Sequence, residues 1–166
     1  RLQGDWSSDV CSSDLPSESS LAAIPAFRAL GERLGTSGQP SADQFQIIRD
    51  AGFEVVINLA LPTSDRALAD EGSRVTRLGM AYVHLPVEFE APQAEDFRRF
   101  CGVMAVFRDR RVFVHCAANM RVSAFVFLYR VLHEGVPVAE AEPELRAIWE
   151  PDEVWSRFLR DRLATG

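Results

Sequence analysis

The run Arg110–Leu132, RRVFVHCAANMRVSAFVFLYRVL, constrains the fold of this chain more than any other stretch. Val112, Phe113 and Val114 are apolar and rich in β-branching, which reads as a strand buried on both faces. The run stops at His115-Cys116. Ala117, Ala118, Asn119 and Met120 make a brief loop before Arg121, and from Val122 the pattern becomes helical and almost wholly apolar through Leu132. A helix that is apolar all round lies inside a protein, so strand and helix must both be interior. A buried strand, a tight turn carrying a cysteine and a buried helix beginning at an arginine together describe an anion cradle. N–H groups at the helix start point into the turn, and the helix dipole favours negative charge there. The same field favours a thiolate at Cys116, and Arg121 adds a two-pronged grip on an oxyanion.

The beginning of the chain has a different character. Asp5–Leu15, DWSSDVCSSDL, has no apolar periodicity and resembles the translation of a sequencing-adapter oligonucleotide. Arg1–Leu15 is therefore set aside as a non-native, disordered segment, and residues 16–166 are expected to form one domain. About 150 residues suffice for a proper core. The net charge of -6 argues against non-specific nucleic-acid binding. No apolar run approaches the roughly 20 residues of a membrane span, so no membrane partner is expected. Beyond Cys11, only Cys101 and Cys116 occur, which gives no disulfide framework and suits a reducing cytoplasm. Cys101 falls on a predicted helix and reads as a small buried apolar residue.

Taken in order, the chain alternates. Leu21–Leu34 carries Leu21, Ile24, Phe27 and Leu30 at helical intervals and predicts a short leading helix broken at Pro25. Gly35–Pro40 is rich in turn residues and is expected at a sheet edge. Ser41 and Gln44 have the spacing of a capping box before a helix with Phe45, Ile48 and Ala51 inward, ended by Gly52. Phe53–Leu59 reads as a strand, Leu61–Glu71 as a polar loop, Gly72–Leu78 as a helix and Met80–Leu85 as a strand. Val87–Pro92 is an acidic loop, and Gln93–Phe107 is an amphipathic helix with Phe97, Phe100, Met104 and Phe107 on one stripe. Beyond Gly135, Val138–Leu163 carries apolar residues at helical spacing. This alternation predicts an α/β fold, a mostly parallel sheet of about four or five strands with helices on both faces. Ligands of such sheets bind beyond the carboxyl ends of the strands. The Cys116 turn, Asn58 with the loop after it, and Val87–Pro92 all fall at such ends and should converge on one site.

The cysteine turn resembles the phosphate-binding loop of the protein tyrosine and dual-specificity phosphatases, whose pattern is His-Cys, five residues, Arg, then Ser or Thr. His115, Cys116, Arg121 and Ser123 take the matching roles, although only four residues separate Cys116 from Arg121. Asn119 stands where that family has glycine, and Asn is the side chain that best tolerates a left-handed backbone. The likeness extends through SGQPSADQF at Ser37–Phe45, VINL at Val56–Leu59, YVHLPVEFEAP at Tyr82–Pro92 and HCAANMRVSAF at His115–Phe125. Together these are similar to the bacterial branch grouped with a beta-lactamase-hydrolase-like phosphatase domain.

That resemblance implies a metal-free, cofactor-free, two-step hydrolysis of phosphate monoesters through a cysteinyl-phosphate. The substrate would be a phosphorylated protein or small molecule; oligomeric state is left open. Cys116 would be the nucleophile, Arg121 the oxyanion ligand, and Ser123 a hydrogen-bond donor to the departing thiolate. Backbone N–H groups of Ala117, Ala118, Asn119, Met120, Arg121 and Val122 would hold the phosphoryl group, with His115 and Asn58 supporting the turn. The family uses an aspartate as general acid in the loop before the preceding helix. Val87–Pro92 has none, so Glu88, nearest the strand end, is expected to protonate the leaving oxygen, with Glu90 second. Asp65 and Glu71 could edge the site. A cysteine and arginine four residues apart also resembles the loop of rhodanese sulfurtransferases, in which the cysteine carries a persulfide. Oxyanion binding without turnover is a third reading.

Overall fold

The computed structural model describes residues 20–166. The expectation for Arg1–Leu15 lies outside the described residues. From Arg28 on, five strands and six helices follow in the order β1 (Arg28–Leu30), β2 (Leu34–Ser37), α1 (Gln44–Asp50), β3 (Val55–Asn58), α2 (Glu71–Arg77), β4 (Ala81–His84), α3 (Ala94–Val106), β5 (Val112–His115), α4 (Met120–His133), α5 (Val138–Arg146) and α6 (Glu153–Thr165). The strands form one sheet in the order β1-β2-β5-β3-β4. Only β1 runs antiparallel; the other pairings are parallel. β5 is central, as expected for a strand apolar on both faces. No helix among the described residues is long and apolar enough to cross a membrane.

Alternation along the central strands divides the core into two layers. Val55, Ile57, Val112 and Val114 face α3, α4 and α6, where Phe97, Phe100, Phe125, Trp155 and Phe158 interdigitate. Val56 and Phe113 face the opposite side, beneath α1 and α2, with Phe45, Ile48, Val75, Leu21 and Ile24. Phe125 sits at the centre of the first layer, with ring centroids 5.5–6.0 Å from Phe97, Phe100, Trp155 and Phe158. Those rings together bury an area that aliphatic side chains of the same number could not.

Four sequence expectations need correction. Of the predicted leading helix across Leu21–Leu34 the described residues keep helix only at Leu21 with the preceding Ser20; turns follow to Ala26, then the β1–β2 hairpin, closed at Gly31-Glu32-Arg33. Its helical spacing was real but short, and Pro25 with Gly31 left too few residues for a stable helix. The Gly35 segment is not at an edge. β2 pairs on both sides, with β1 and β5, and β1 takes the edge. Gly35 is required there, because a Cβ would come within 2.9 Å of the Phe113 and Phe53 rings. Finally, Glu71 is no loop residue; it opens α2 and is buried. Ser41 and Gln44 make only half of the expected box. The Gln44 side chain accepts from the Ser41 N–H, and the helix starts at Gln44.

Register sets the position of the site. Ser37 and Asn58 both stand opposite His115, and Asn58 stands opposite His84. Four strands therefore end level, and the segments following them rise from the same rim.

Candidate active site

The turn after β5 is held by backbone on two sides. The Cys116 N–H donates to the Ser37 carbonyl at 3.3 Å, and the Gln39 N–H donates to the Ala117 carbonyl at 3.1 Å. Gly38 lies against Ala118 in an isolated antiparallel bridge. A Cβ on Gly38 would sit 2.7 Å from the Ala117 oxygen, so the two segments approach as closely as backbone allows. Asn119 is left-handed, with φ 65°, the conformation its side chain tolerates better than others. It is wholly buried, and its amide Nδ2 donates to the Ala26 carbonyl at 2.8 Å and to Thr36 Oγ1 at 3.2 Å. The N-terminal hairpin thus fixes the bend from outside the turn.

α4 begins at Met120, and its first intrahelical bond is from the Ser123 N–H to the Asn119 carbonyl at 2.9 Å. The N–H groups of Met120, Arg121 and Val122 precede that bond and have no intrahelical acceptor. Cys116 is wholly buried in the turn, so a reactant reaches its sulfur only if surrounding groups part. Arg121 is 6% exposed; its Nη1 donates to the Val87 carbonyl at 2.9 Å and its guanidinium carbon stands 5.9 Å from the Phe89 ring centroid. Its Nε is buried without an acceptor. The Ser123 hydroxyl donates to the Met120 carbonyl at 3.0 Å. Cys101 is half-buried on α3, and burial pushes its thiol up to about 11.

Behind the turn runs a buried polar chain. His115 Nε2 donates to Glu71 at 2.6 Å, while His115 Nδ1 lies 3.3 Å from the Cys116 carbonyl. Gln39 Nε2 donates to the other oxygen of Glu71 at 2.8 Å. Burial pushes the Glu71 carboxyl up, yet the hydrogen bond and charge of His115, with hydrogen bonds from Gln39 and Tyr82, outweigh it and hold the group below its ordinary value. Burial pushes the Tyr82 phenol far upward, which keeps it a donor. Asn58 Nδ2 donates to the Tyr82 hydroxyl at 3.0 Å, and Asn58 Oδ1 accepts from the Ala60 N–H at 2.8 Å. Gln39 and Tyr82 were not singled out as site residues from sequence, and Glu71 was expected only at the edge of the site, on a loop. A carboxylate at a helix start looks like ordinary capping, and nothing local reveals that it faces a histidine 44 residues away.

The acidic loop arrives beside the turn, as its place after β4 predicts. Glu88 and Glu90 are both exposed. Glu88 stands between two carbonyls that are held from different elements, that of Val87 by Arg121 and that of Phe89 by Trp155 Nε1 at 2.8 Å. The structure therefore brings Cys116, Ala117–Val122, Arg121, His115, Asn58 and the Glu88 loop to one rim, and turns the Ser123 hydroxyl toward its own helix. Asp65 is exposed on the loop after β3. Among the described residues no group of three or more His, Cys, Asp or Glu side chains is placed to hold a metal ion.

Comparisons with known proteins bear on this arrangement. Residues 29–153 match the family model described as DSP-PTPase phosphatase fused to NAD+ kinase. A candidate phosphatase of the DUF442 family from Shewanella putrefaciens CN-32 is 34% identical, with a TM-score of 0.80, over 89% of this chain and 97% of that one. Kinase-associated phosphatase, crystallised with serine in place of its catalytic cysteine, gives a TM-score of 0.71 at 13% identity, over 87% and 98% of the two chains. TpbA of P. aeruginosa, crystallised with phosphotyrosine, gives 0.64 at 16% identity, over 86% and 96%. At such identities the last two speak for the fold alone. No curated protein matches. The 34% identity over nearly the whole chain and the match across 29–153 establish that this chain belongs to the dual-specificity-type phosphatase family described as DSP-PTPase phosphatase fused to NAD+ kinase.

Proposed function

We propose that the protein is a cysteine-dependent phosphatase that hydrolyses phosphate monoesters, from a phosphorylated protein or small molecule, through a cysteinyl-phosphate. One observation carries the reading. Arg121 is buried beside the Cys116 turn with its Nε unsatisfied, and a buried guanidinium donor without an acceptor is costly unless an anion comes to it. The first-turn N–H groups of Met120, Arg121 and Val122 converge from the same helix end, and those of Ala117, Ala118 and Asn119 complete the proposed cradle.

In the first step the Cys116 thiolate attacks phosphorus and forms the S–P bond as the P–O bond to the leaving group breaks. Glu88 gives its proton to the departing oxygen. In the second, water attacks phosphorus, Glu88 takes the water proton, and the S–P bond breaks to release phosphate and restore the thiolate. Arg121 and the N–H groups stabilise the equatorial oxygens through both steps. Ser123 is assigned to the departing thiolate, and to serve there its hydroxyl must exchange the Met120 carbonyl for the sulfur. Glu90 is the alternative acid. His115 and Asn58 are assigned to holding the turn, and the unpaired cysteines fit a reducing compartment such as the cytoplasm.

The full burial of Cys116 favours a second reading, an oxyanion-binding protein without turnover. Steady-state hydrolysis of an aryl phosphate separates the two: release of phenol that vanishes in Cys116→Ser supports the phosphatase. Phosphate binding without phenol release supports the second reading, and transfer of sulfane sulfur to cyanide would replace both with a sulfurtransferase.

A further inference from the structure

We infer that Trp155, on the C-terminal helix, is a positioning residue for the proton-donating loop, so that α6 forms part of the catalytic apparatus. The inference rests on the assignment of Glu88 as general acid. α6 starts at Glu153, the last residue matched by the family model, so Trp155 lies just past it.

Its indole is wholly buried, and Nε1 donates to the Phe89 carbonyl at 2.8 Å. The Phe89 ring is enclosed by Trp155 and Trp149, with centroids 5.8 and 5.6 Å away. On the other side of Glu88, Arg121 holds the Val87 carbonyl at 2.9 Å. The peptide unit before Glu88 and the one after Phe89 are thereby held, the first by the residue assigned to the phosphoryl oxygens and the second by α6. The exposed carboxylate has no hydrogen-bonded partner of its own among the described residues, so its direction depends on how the backbone is held: by these two anchors, by the Val87 N–H on the Leu59 carbonyl at 3.0 Å and by the Ala91 N–H on the Glu88 carbonyl at 3.3 Å. α6 is in turn seated by a side-chain cap. Asp152 Oδ1 accepts from the Trp155 N–H at 2.9 Å, which fixes the first turn and with it the indole. A buried tryptophan needs an acceptor for its single N–H, and here that acceptor is the carbonyl of the residue following the assigned acid, which ties α6 to the loop.

The test is a series of aryl phosphates whose leaving phenols span a wide range of acidity, hydrolysed by the full chain and by Trp155→Phe, which keeps ring packing and removes the N–H. A proton donor matters for a basic leaving oxygen and little for an acidic one. Trp155→Phe should lower kcat/KM about tenfold for the most basic phenol and by less than about twofold for the most acidic, a part of the roughly hundredfold or more that a general acid contributes. Glu88→Gln should show the same slope more steeply, and combining the two should add little to it. An equal loss across the series, or none, overturns the inference. If Trp155→Phe does not fold, Asp152→Ala, which loosens the first turn, must show the same graded loss, and a flat response there overturns it as well. A wild-type protein that cleaves no member of the series removes the proposed function, and this inference with it. A wild type that cleaves them all, with uniform losses in the variants, removes this inference alone.

Discussion

At the scale of single residues, Cys116 and Arg121 should separate chemistry from binding. Cys116→Ser is expected to abolish aryl phosphate turnover and to retain phosphate binding by calorimetry, because the N–H groups of the turn remain. Arg121→Ala should lose both, and Arg121→Lys should restore neither fully, since an ammonium cannot make two parallel bonds to one oxyanion. Glu71 makes a different prediction. Removing one partner of a buried pair leaves an uncompensated polar group, so Glu71→Gln should lower stability by about 3 kcal/mol at neutral pH in urea unfolding. The folded carboxyl lies below the ordinary value of 4.5, so its contribution is present above that pH and fades as pH falls through the folded value. The gap between wild type and Glu71→Gln should therefore narrow on acidification below about pH 4.5; a gap that is constant or widens contradicts the pairing. Cys116 and Arg121 were legible in sequence because they share one turn. Glu71 was not, since its meaning arises from contacts with Gln39 and His115, far along the chain.

At the scale of elements, β5, its turn and α4 were readable because their burial is written in their composition. The β1–β2 hairpin was misread because the helical spacing of Leu21, Ile24, Phe27 and Leu30 runs on past the residues that can form a helix, while the partners that made strands of Arg28–Leu30 and Leu34–Ser37 lie in each other and in β5. That hairpin holds the Cys116 turn through Gly38 and Asn119. Gly38→Ala should force the two backbones apart, since its Cβ would fall 2.7 Å from the Ala117 oxygen. Turnover is expected to drop at least tenfold, a loss that misplacing a reacting group can readily produce, and a variant as active as wild type would show that the strap does not shape the turn. Asn119→Ala removes two buried hydrogen bonds and places alanine at φ 65°. A loss of about 3 kcal/mol is expected, combining left-handed strain of about 1–2 kcal/mol with the unpaired groups.

At the scale of the whole molecule, the alternation of strands and helices revealed the sheet and the level strand ends that gather the site, but not the order in which the hairpin joins it. We propose that residues 16–166 form one domain to which Arg1–Leu15 contributes nothing; deleting that segment should leave Tm unchanged, and a loss of several degrees would refute this. The central claim is that a phosphoryl group passes through Cys116. Rapid acid quench of the protein during turnover of an aryl phosphate, followed by intact-mass and peptide mapping, tests it most directly. The expected result is one added phosphoryl group on the peptide carrying Cys116, absent from Cys116→Ser. Sustained phosphate release with no phosphorylated Cys116 peptide, or undiminished release by Cys116→Ser, would contradict it.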